Sequence, residues 1–310
     1  MGEDSRGDDA PGQGERMNIA AHRPELLRHC YRMLGSFADA EDLVQDVLVS
    51  AWNARAQYRG DVPLVHWLMR IATNRCLDEI ARQRRRGLPT FDRPSQASFD
   101  HIERLESADW ITPAPDSVLE TRESVALAFI ALLQRLPPKQ RAALLLKDVV
   151  GWSADEIADA LELSLPSLNS ALHRARESLA SQARAPKDDP TPDVLREYIR
   201  SWEQRDVDAL VALLRDDVTL AMPPHATWFH GPTVASFLRS QRFSGFWNRG
   251  TRIFQTRANG QLALAFYCDA EFVPHSIQLV EFRDGKVSEM LQFIGPTYFR
   301  GFGLPASLAE

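Results

Sequence analysis

Four residues, Ser153-Ala154-Asp155-Glu156, fix the start of a helix more firmly than any other stretch of this chain. A serine at the N-cap accepts from the amide three residues on. A glutamate at that third position reaches back to the serine amide, so two backbone donors that the helix leaves unmet are satisfied together. The apolar pattern continues through Ile157, Ala158 and Leu161, breaks over residues 162–164, and restarts with Ser164 as N-cap and Pro166 in the first turn. Two helices joined by so short a break form a helix-turn-helix. In the second, Leu168, Leu172, Ala175 and Leu179 recur at i, i+4, i+7 and i+11 and mark the core face. Ser167, Asn169, Ser170, His173, Arg174 and Arg176 are left for the opposite face. Asparagine pairs with adenine and arginine with guanine or phosphate, so this face suits a DNA major groove. An ordinary solvated face explains the same residues equally well, and His173 alone is more simply an exposed histidine.

Composition narrows the classes of partner. With 44% hydrophobic and 25% charged residues over 310 positions, the chain is an ordinary folded protein of two or three small cores. Its net charge of -6 excludes a protein that coats DNA regardless of sequence, which needs a cationic surface. Cys30, Cys76 and Cys268 are too few and too scattered for a disulfide framework or a CxxC zinc site. No metal or cofactor is expected, and a reducing cytoplasm fits. The longest apolar run, residues 125–133, is about half of what a bilayer span needs, and the N-terminus is acidic and polar instead of carrying a basic then apolar leader. No membrane partner is expected.

Along the chain, residues 1–16 hold five acids and two arginines among Gly, Ser and Pro and predict a disordered tail, with Met17 as an alternative start. A helical domain is expected over 17–88. Leu43, Val47 and Ala51, flanked by Val44 and Leu48, form one stripe, and after Gly60 and Pro63 a second helix runs through Trp67, Leu68, Ile71, Ala72, Cys76 and Ile80. Six arginines against two acids in residues 70–86 concentrate the basic charge there. Residues 89–122, acidic and proline-bearing, read as a linker, and 123–185 as a second helical domain holding the helix-turn-helix. A third domain over 191–310 passes from helices to β-rich segments at 262–266, 276–282 and 287–293, with Arg283-Asp284-Gly285-Lys286 as a hairpin turn. The expected class is mainly α, with two helical domains and a C-terminal α+β domain.

Around the helix-turn-helix, Leu136-Pro137-Pro138-Lys139-Gln140-Arg141, Gly151-Trp152-Ser153, Glu156-Ile157-Ala158 and Arg174-Ala175-Arg176 resemble region 4 of the sigma-70 family. Asp39-Ala40-Glu41-Asp42-Leu43-Val44-Gln45-Asp46 with Trp52, followed by Trp67-Leu68-Met69-Arg70-Ile71-Ala72-Thr73-Asn74 and Asp78, resemble region 2 of its extracytoplasmic-function group. The two halves stand in family order over residues 22–185. The resemblance implies a non-catalytic subunit that binds core RNA polymerase and directs initiation at promoter DNA. It implies that Asp39, Glu41, Asp42, Gln45 and Asp46 meet the clamp helices of the polymerase β′ subunit, with region 4 against the β flap. An acidic face beside an apolar stripe suits a protein surface better than a polyanion.

The loop Tyr58-Arg59-Gly60-Asp61-Val62-Pro63, with Trp67 and Asn74 behind it, corresponds to the part of the family that opens the -10 element. A base must leave the stack there and be held by aromatic and polar groups. Tyr58, Arg59, Asn74 and Arg75 are the -10 candidates, with Arg70, Arg82, Arg84, Arg85 and Arg86 on phosphates. Trp67, at helical spacing with Leu68 and Ile71, is more simply core. Ser167, Asn169, Ser170, His173, Arg174 and Arg176 are the -35 candidates. Asn169 and Ala171 stand where relatives often carry arginine, so weak promoter binding by the chain alone is expected.

The C-terminal pattern, helices then a curved sheet, resembles the SnoaL-like (NTF2-like) cone, which sigma factors of the SigG and SigJ type carry behind region 4. Trp110-Ile111-Thr112-Pro113-Ala114-Pro115-Asp116 resembles the Trp-Pro linker motif of those groups, which makes Trp110, Pro113 and Pro115 candidates for a regulatory linker docked on that domain. The domain is expected to regulate the factor, through a small-molecule ligand or through intramolecular contact. His225, His230, Asp269 and His275, with Trp228, Phe229, Trp247 and Tyr267 as walls, are the groups a residual enzyme would use, and no spacing singles out a pair. A ligand-responsive helix-turn-helix regulator is a competing class that leaves the region 2 half unexplained.

Overall fold

The structure is a computed structural model that describes residues 17–82, 86–88, 90, 94–96, 110–119, 126–180, 189–240, 243 and 250–308. Arg84, Arg85, Trp247 and the expected N-terminal tail lie outside the described residues.

Three helices form the first unit: α1 (Arg23–Leu34), α2 (Phe37–Asn53) and α3 (Leu64–Arg82). Ser36 caps α2 by accepting from the Asp39 amide, and Leu43, Val44, Val47 and Ala51 are buried as their periodicity requires. Four helices make the second unit: α4 (Leu127–Arg135), α5 (Pro138–Leu144), α6 (Ala154–Leu161) and α7 (Leu165–Ala180). Before α6 the chain makes a π-helical turn over Leu145–Val150. The expected capping box is present, with the Ser153 hydroxyl accepting from the Glu156 amide and the Glu156 carboxylate accepting from the Ser153 amide at 2.8 Å. Leu168, Leu172 and Ala175 of α7 are buried, and so is Ala171.

The C-terminal unit joins α8 (Pro192–Gln204), α9 (Val207–Ala212) and α10 (Pro232–Leu238) to a six-stranded sheet. Its strands are β1 (Leu214–Ala221), β2 (Trp228–His230), β3 (Thr251–Ala258), β4 (Gln261–Cys268), β5 (Val273–Arg283) and β6 (Lys286–Ile294). The order is β2-β1-β6-β5-β4-β3, antiparallel except for the parallel β1–β6 pair. Asp284 and Gly285, at φ 53° and 72°, form the expected turn, and Asn259-Gly260 makes a matching one between β3 and β4.

Both faces of this sheet are covered, and the strands alternate between two cores. Leu264, Phe266, Val280, Phe282 and Met290 face the helices with Tyr198, Trp202, Phe229 and Phe237. Ala263, Ala265, Ile277, Leu279, Leu291 and Phe293 face the other way, into a core shared with Ile111 and Ala114 of the linker and continuous with the helical units. Burial on both sides explains why these strands read as apolar runs instead of a clean two-residue alternation.

Candidate functional site

The -35 candidates lie where α7 meets solvent: Ser167, Asn169, Ser170, His173, Arg174 and Arg176 are all exposed. Arg176 is held by Asp148, with Nε 3.1 Å and Nη2 2.5 Å from its carboxylate, and this partner raises the arginine pKa. The fork is thereby fixed in direction before any DNA arrives.

The -10 candidates are divided. Tyr58 is half-buried, donates to the Val62 carbonyl at 2.7 Å, and has its ring 5.4 Å from that of Trp67. Trp67 is also half-buried and lines a cleft, so it sits at the edge of the core. Arg59, Asn74, Arg75 and Arg82 are exposed, with Arg75 donating to Ser50 at 3.1 Å and Arg82 ion-paired to Glu79. Arg86 departs from the expected phosphate role. Its side chain is buried, donates to the Leu34 carbonyl at 3.0 Å and pairs with Asp39, so it closes the end of α1 against α2.

The acidic candidates on α2 meet cations of the chain itself. Glu41 pairs with Arg23 at 3.3 Å and with Arg300 at 3.0 Å, and Asp42 pairs with Arg300 at 2.5 Å. The paired carboxylates, Asp42 first, raise the Arg300 pKa. Gln45 and Asp46 remain exposed on the same helix. Next to Arg300, Gly301 lies at φ +81°, and a Cβ there would stand 2.2 Å from a ring carbon of Phe37. The segment after the 3-10 turn Pro296–Phe299 thus runs directly over the start of α2.

The linker motif joins the C-terminal sheet to the first helical unit. Trp110 is 3% exposed and its indole donates to the Pro224 carbonyl at 3.0 Å. The Thr112 hydroxyl accepts from the Phe37 amide at 2.8 Å, and its carbonyl accepts from the Tyr31 hydroxyl at 2.9 Å. Pro113 and Pro115 are buried, and Pro115 bridges to Ala258, adding the linker to the edge of β3. Asn259 links all three parts. Its amide nitrogen donates to Tyr31 Oη at 2.8 Å, while its oxygen accepts from the Ala114 amide at 2.9 Å. Arg300 and Asn259 were not among the residues singled out from sequence. Asn259-Gly260 is a dipeptide of the kind that hairpin turns favour, but nothing local marks either side chain as a link between distant segments.

The titratable groups of the C-terminal unit are spread out. His225 precedes β2, His230 ends it, Asp269 follows β4 and His275 lies in β5. Phe229 and Tyr267 belong to opposite faces of the sheet and do not wall one pocket. On the helix-covered face of the sheet, Tyr198 donates to Gln278, Gln278 to Gln292, and Gln292 to Ser276, at 2.7, 2.5 and 2.6 Å. These buried side chains satisfy one another.

Residues 19–86 match the family described as Sigma-70 region 2, and residues 126–179 match Sigma-70, region 4. The ECF RNA polymerase sigma factor SigG of Mycobacterium tuberculosis is 40% identical, over 96% of this chain and 87% of its own length. The chain belongs to the sigma-70 family, in its extracytoplasmic-function group. The RNA polymerase sigma factor CarQ of Myxococcus xanthus is 30% identical over 52% of this sigma factor and 84% of its own length. The crystal structure of the Mycobacterium tuberculosis factor SigJ superposes with a TM-score of 0.60 at 22% identity, covering 93% of this chain and 99% of that one. The fold, two helical sigma domains followed by an α+β domain, is shared along the chain. As a member of the family this sigma factor binds core RNA polymerase, directs initiation at promoter DNA and is not itself an enzyme. Among the described residues, no helix is long and apolar enough to cross a membrane.

Proposed function

We propose that the C-terminal domain regulates this sigma factor by covering the surface through which it joins the polymerase. The observation that carries the reading is the pairing of Arg300 with Glu41 and Asp42. Asp39, Glu41, Asp42, Gln45 and Asp46 dock on the β′ clamp in this account, and three of those carboxylates are already occupied from within the chain, Asp39 by Arg86 and Glu41 and Asp42 by Arg300. Region 4 meets the β flap. Tyr58, Arg59, Asn74, Arg75 and Arg82 take the -10 strand, and Ser167, Asn169, Ser170, His173, Arg174 and Arg176 take the -35 duplex. Trp110, Pro113 and Pro115 fix the covering domain in place. The proposed units are 17–88, 89–122, 123–185 and 191–310.

Core polymerase competes with Arg300, so weakening the internal contact raises apparent affinity by the amount the closed form loses. Exposed ion pairs are each of modest strength, and Arg300→Ala is expected to tighten binding of purified core by about threefold to tenfold. Gly301→Ala, which forces a Cβ toward Phe37, acts in the same direction. Fluorescence titration of labelled full-length chain with core reads both variants. Unchanged affinity in both overturns the regulatory reading.

A further inference from the structure

The guanidinium of Arg176 meets the Asp148 carboxylate side-on, with Nε 3.1 Å from one oxygen and Nη2 2.5 Å from the other. Both ends of this fork stand on anchored backbone. Asp148 lies in the π-helical turn Leu145–Val150, whose Leu145 and Leu146 are buried and whose Lys147 ammonium donates to the Trp152 carbonyl at 3.1 Å. Arg176 directly follows Ala175, which is buried in the core face of α7. The pair itself is open to solvent, with 54% of the arginine side chain and 38% of the aspartate exposed. A guanidinium carries five N–H donors and the side-on contact uses two, so the end-on edge formed by Nη1 and the second N–H of Nη2 is left for an acceptor.

Position along the helix decides what that acceptor is. In helix-turn-helix docking, the first turns of the second helix reach the base edges. Arg176 is the twelfth residue of α7, about 16 Å along the axis from Leu165, which exceeds the roughly 12 Å width of a major groove. Ser167, Asn169 and Ser170 lie in the first two turns, level with the bases, whereas Arg176 lies level with the sugar-phosphate wall. We propose that Asp148 is a positioning residue for promoter binding, holding Arg176 so that its end-on edge takes a backbone phosphate of the -35 duplex. Two effects of the carboxylate oppose each other. Its negative charge repels DNA, but it sits on the side of the guanidinium away from the phosphate, where water and salt screen it. An arginine without an anchor gives up several rotatable bonds on contact, which weakens association about twofold to tenfold, so orientation is the larger effect. This rests on the proposed placement of the -35 duplex on α7.

A phosphate contact is independent of sequence, so the test uses the full-length chain and a fluorescein-labelled pool of double-stranded DNA 24-mers of randomised sequence, titrated over a series of low salt concentrations. Arg176→Ala should weaken binding and lower the slope of log affinity against log salt by about 0.9, the loss of one phosphate contact. Asp148→Asn keeps the shape of the side chain and removes its charge. It should weaken binding about threefold with the salt slope unchanged, because the phosphate is still met but by an arginine that must first be ordered. In the Arg176→Ala background Asp148→Asn should have no further effect, whereas in the Arg174→Ala background its threefold loss should persist. A carboxylate that merely braces the π-helical turn would weaken binding in both backgrounds, and that result overturns the inference. So does Asp148→Asn binding as tightly as wild type or more tightly. If Arg176→Ala weakens binding while Asp148→Asn does not, only the role of Asp148 falls. If Arg176→Ala itself binds like wild type with the same slope, the placement of the -35 duplex falls with it.

Discussion

At the scale of single residues, two buried groups carry testable consequences. His29 is 2% exposed, with Nε2 2.9 Å from Thr73 Oγ1, and that hydroxyl gives its proton to the Met69 carbonyl. The hydroxyl must then accept, which fixes His29 as the neutral Nε2–H tautomer. Burial, with nearby Arg32, pushes its pKa from 6.5 down to about 3. Between these values the unfolded chain binds a proton that the native one refuses, so this contribution is full above pH 6.5 and is lost as pH falls toward 3. The slope is about 1.4 kcal/mol per pH unit. Urea unfolding of wild type and His29→Gln at pH 7, 6 and 5 should show the difference in stability shrinking as the pH drops, and parallel curves would contradict the assignment. Asn259→Ala leaves the Ala114 amide and the Tyr31 hydroxyl short of a partner in a dry junction, and should cost about 1–3 kcal/mol in the same assay. Neither residue is recognisable in the sequence, because a buried polar role depends on what the fold brings from far along the chain.

At the scale of elements, legibility followed the range of the determining interaction. The capping box of α6 needs four consecutive residues, and the structure reproduces it. Ser153→Ala should cost about 1 kcal/mol, read as faster amide exchange in the first turn of α6. The Asp284-Gly285 turn and strands β4, β5 and β6 were equally plain, since turn residues and β-rich runs are local signals. Strand β1 was not among the β-rich segments read from the sequence, because its place is set by parallel pairing with β6, more than sixty residues away. Strand β3, with exposed Arg252, Phe254, Gln255 and Arg257, has the mixed surface of an edge and no clean period. On α7 the periodicity separated the two faces correctly, and only the partner of Arg176 was out of reach, since Asp148 lies in the π-helical turn.

At the scale of the whole molecule, the C-terminal sheet shares a core with the linker and continues into the helical units, so the chain is not a sigma factor with a loose appendage. Removing residues 191–310 would expose Ile111 and Ala114 together with the shared face. Point changes at Arg300 and Gly301 are therefore cleaner probes than truncation. The sequence did foretell that Trp110 docks, because an otherwise polar linker has little reason to keep a bare indole. It could not foretell that the same domain reaches α2, where Arg300 lies about 260 positions from its carboxylates. The most direct measurement is run-off transcription by purified core polymerase, limiting factor and a genomic promoter pool, comparing wild type with Arg300→Ala. The account predicts new start sites with wild type and a severalfold higher yield from the same sites with the variant. No new start sites with either protein, or equal yields at every limiting concentration, would contradict it.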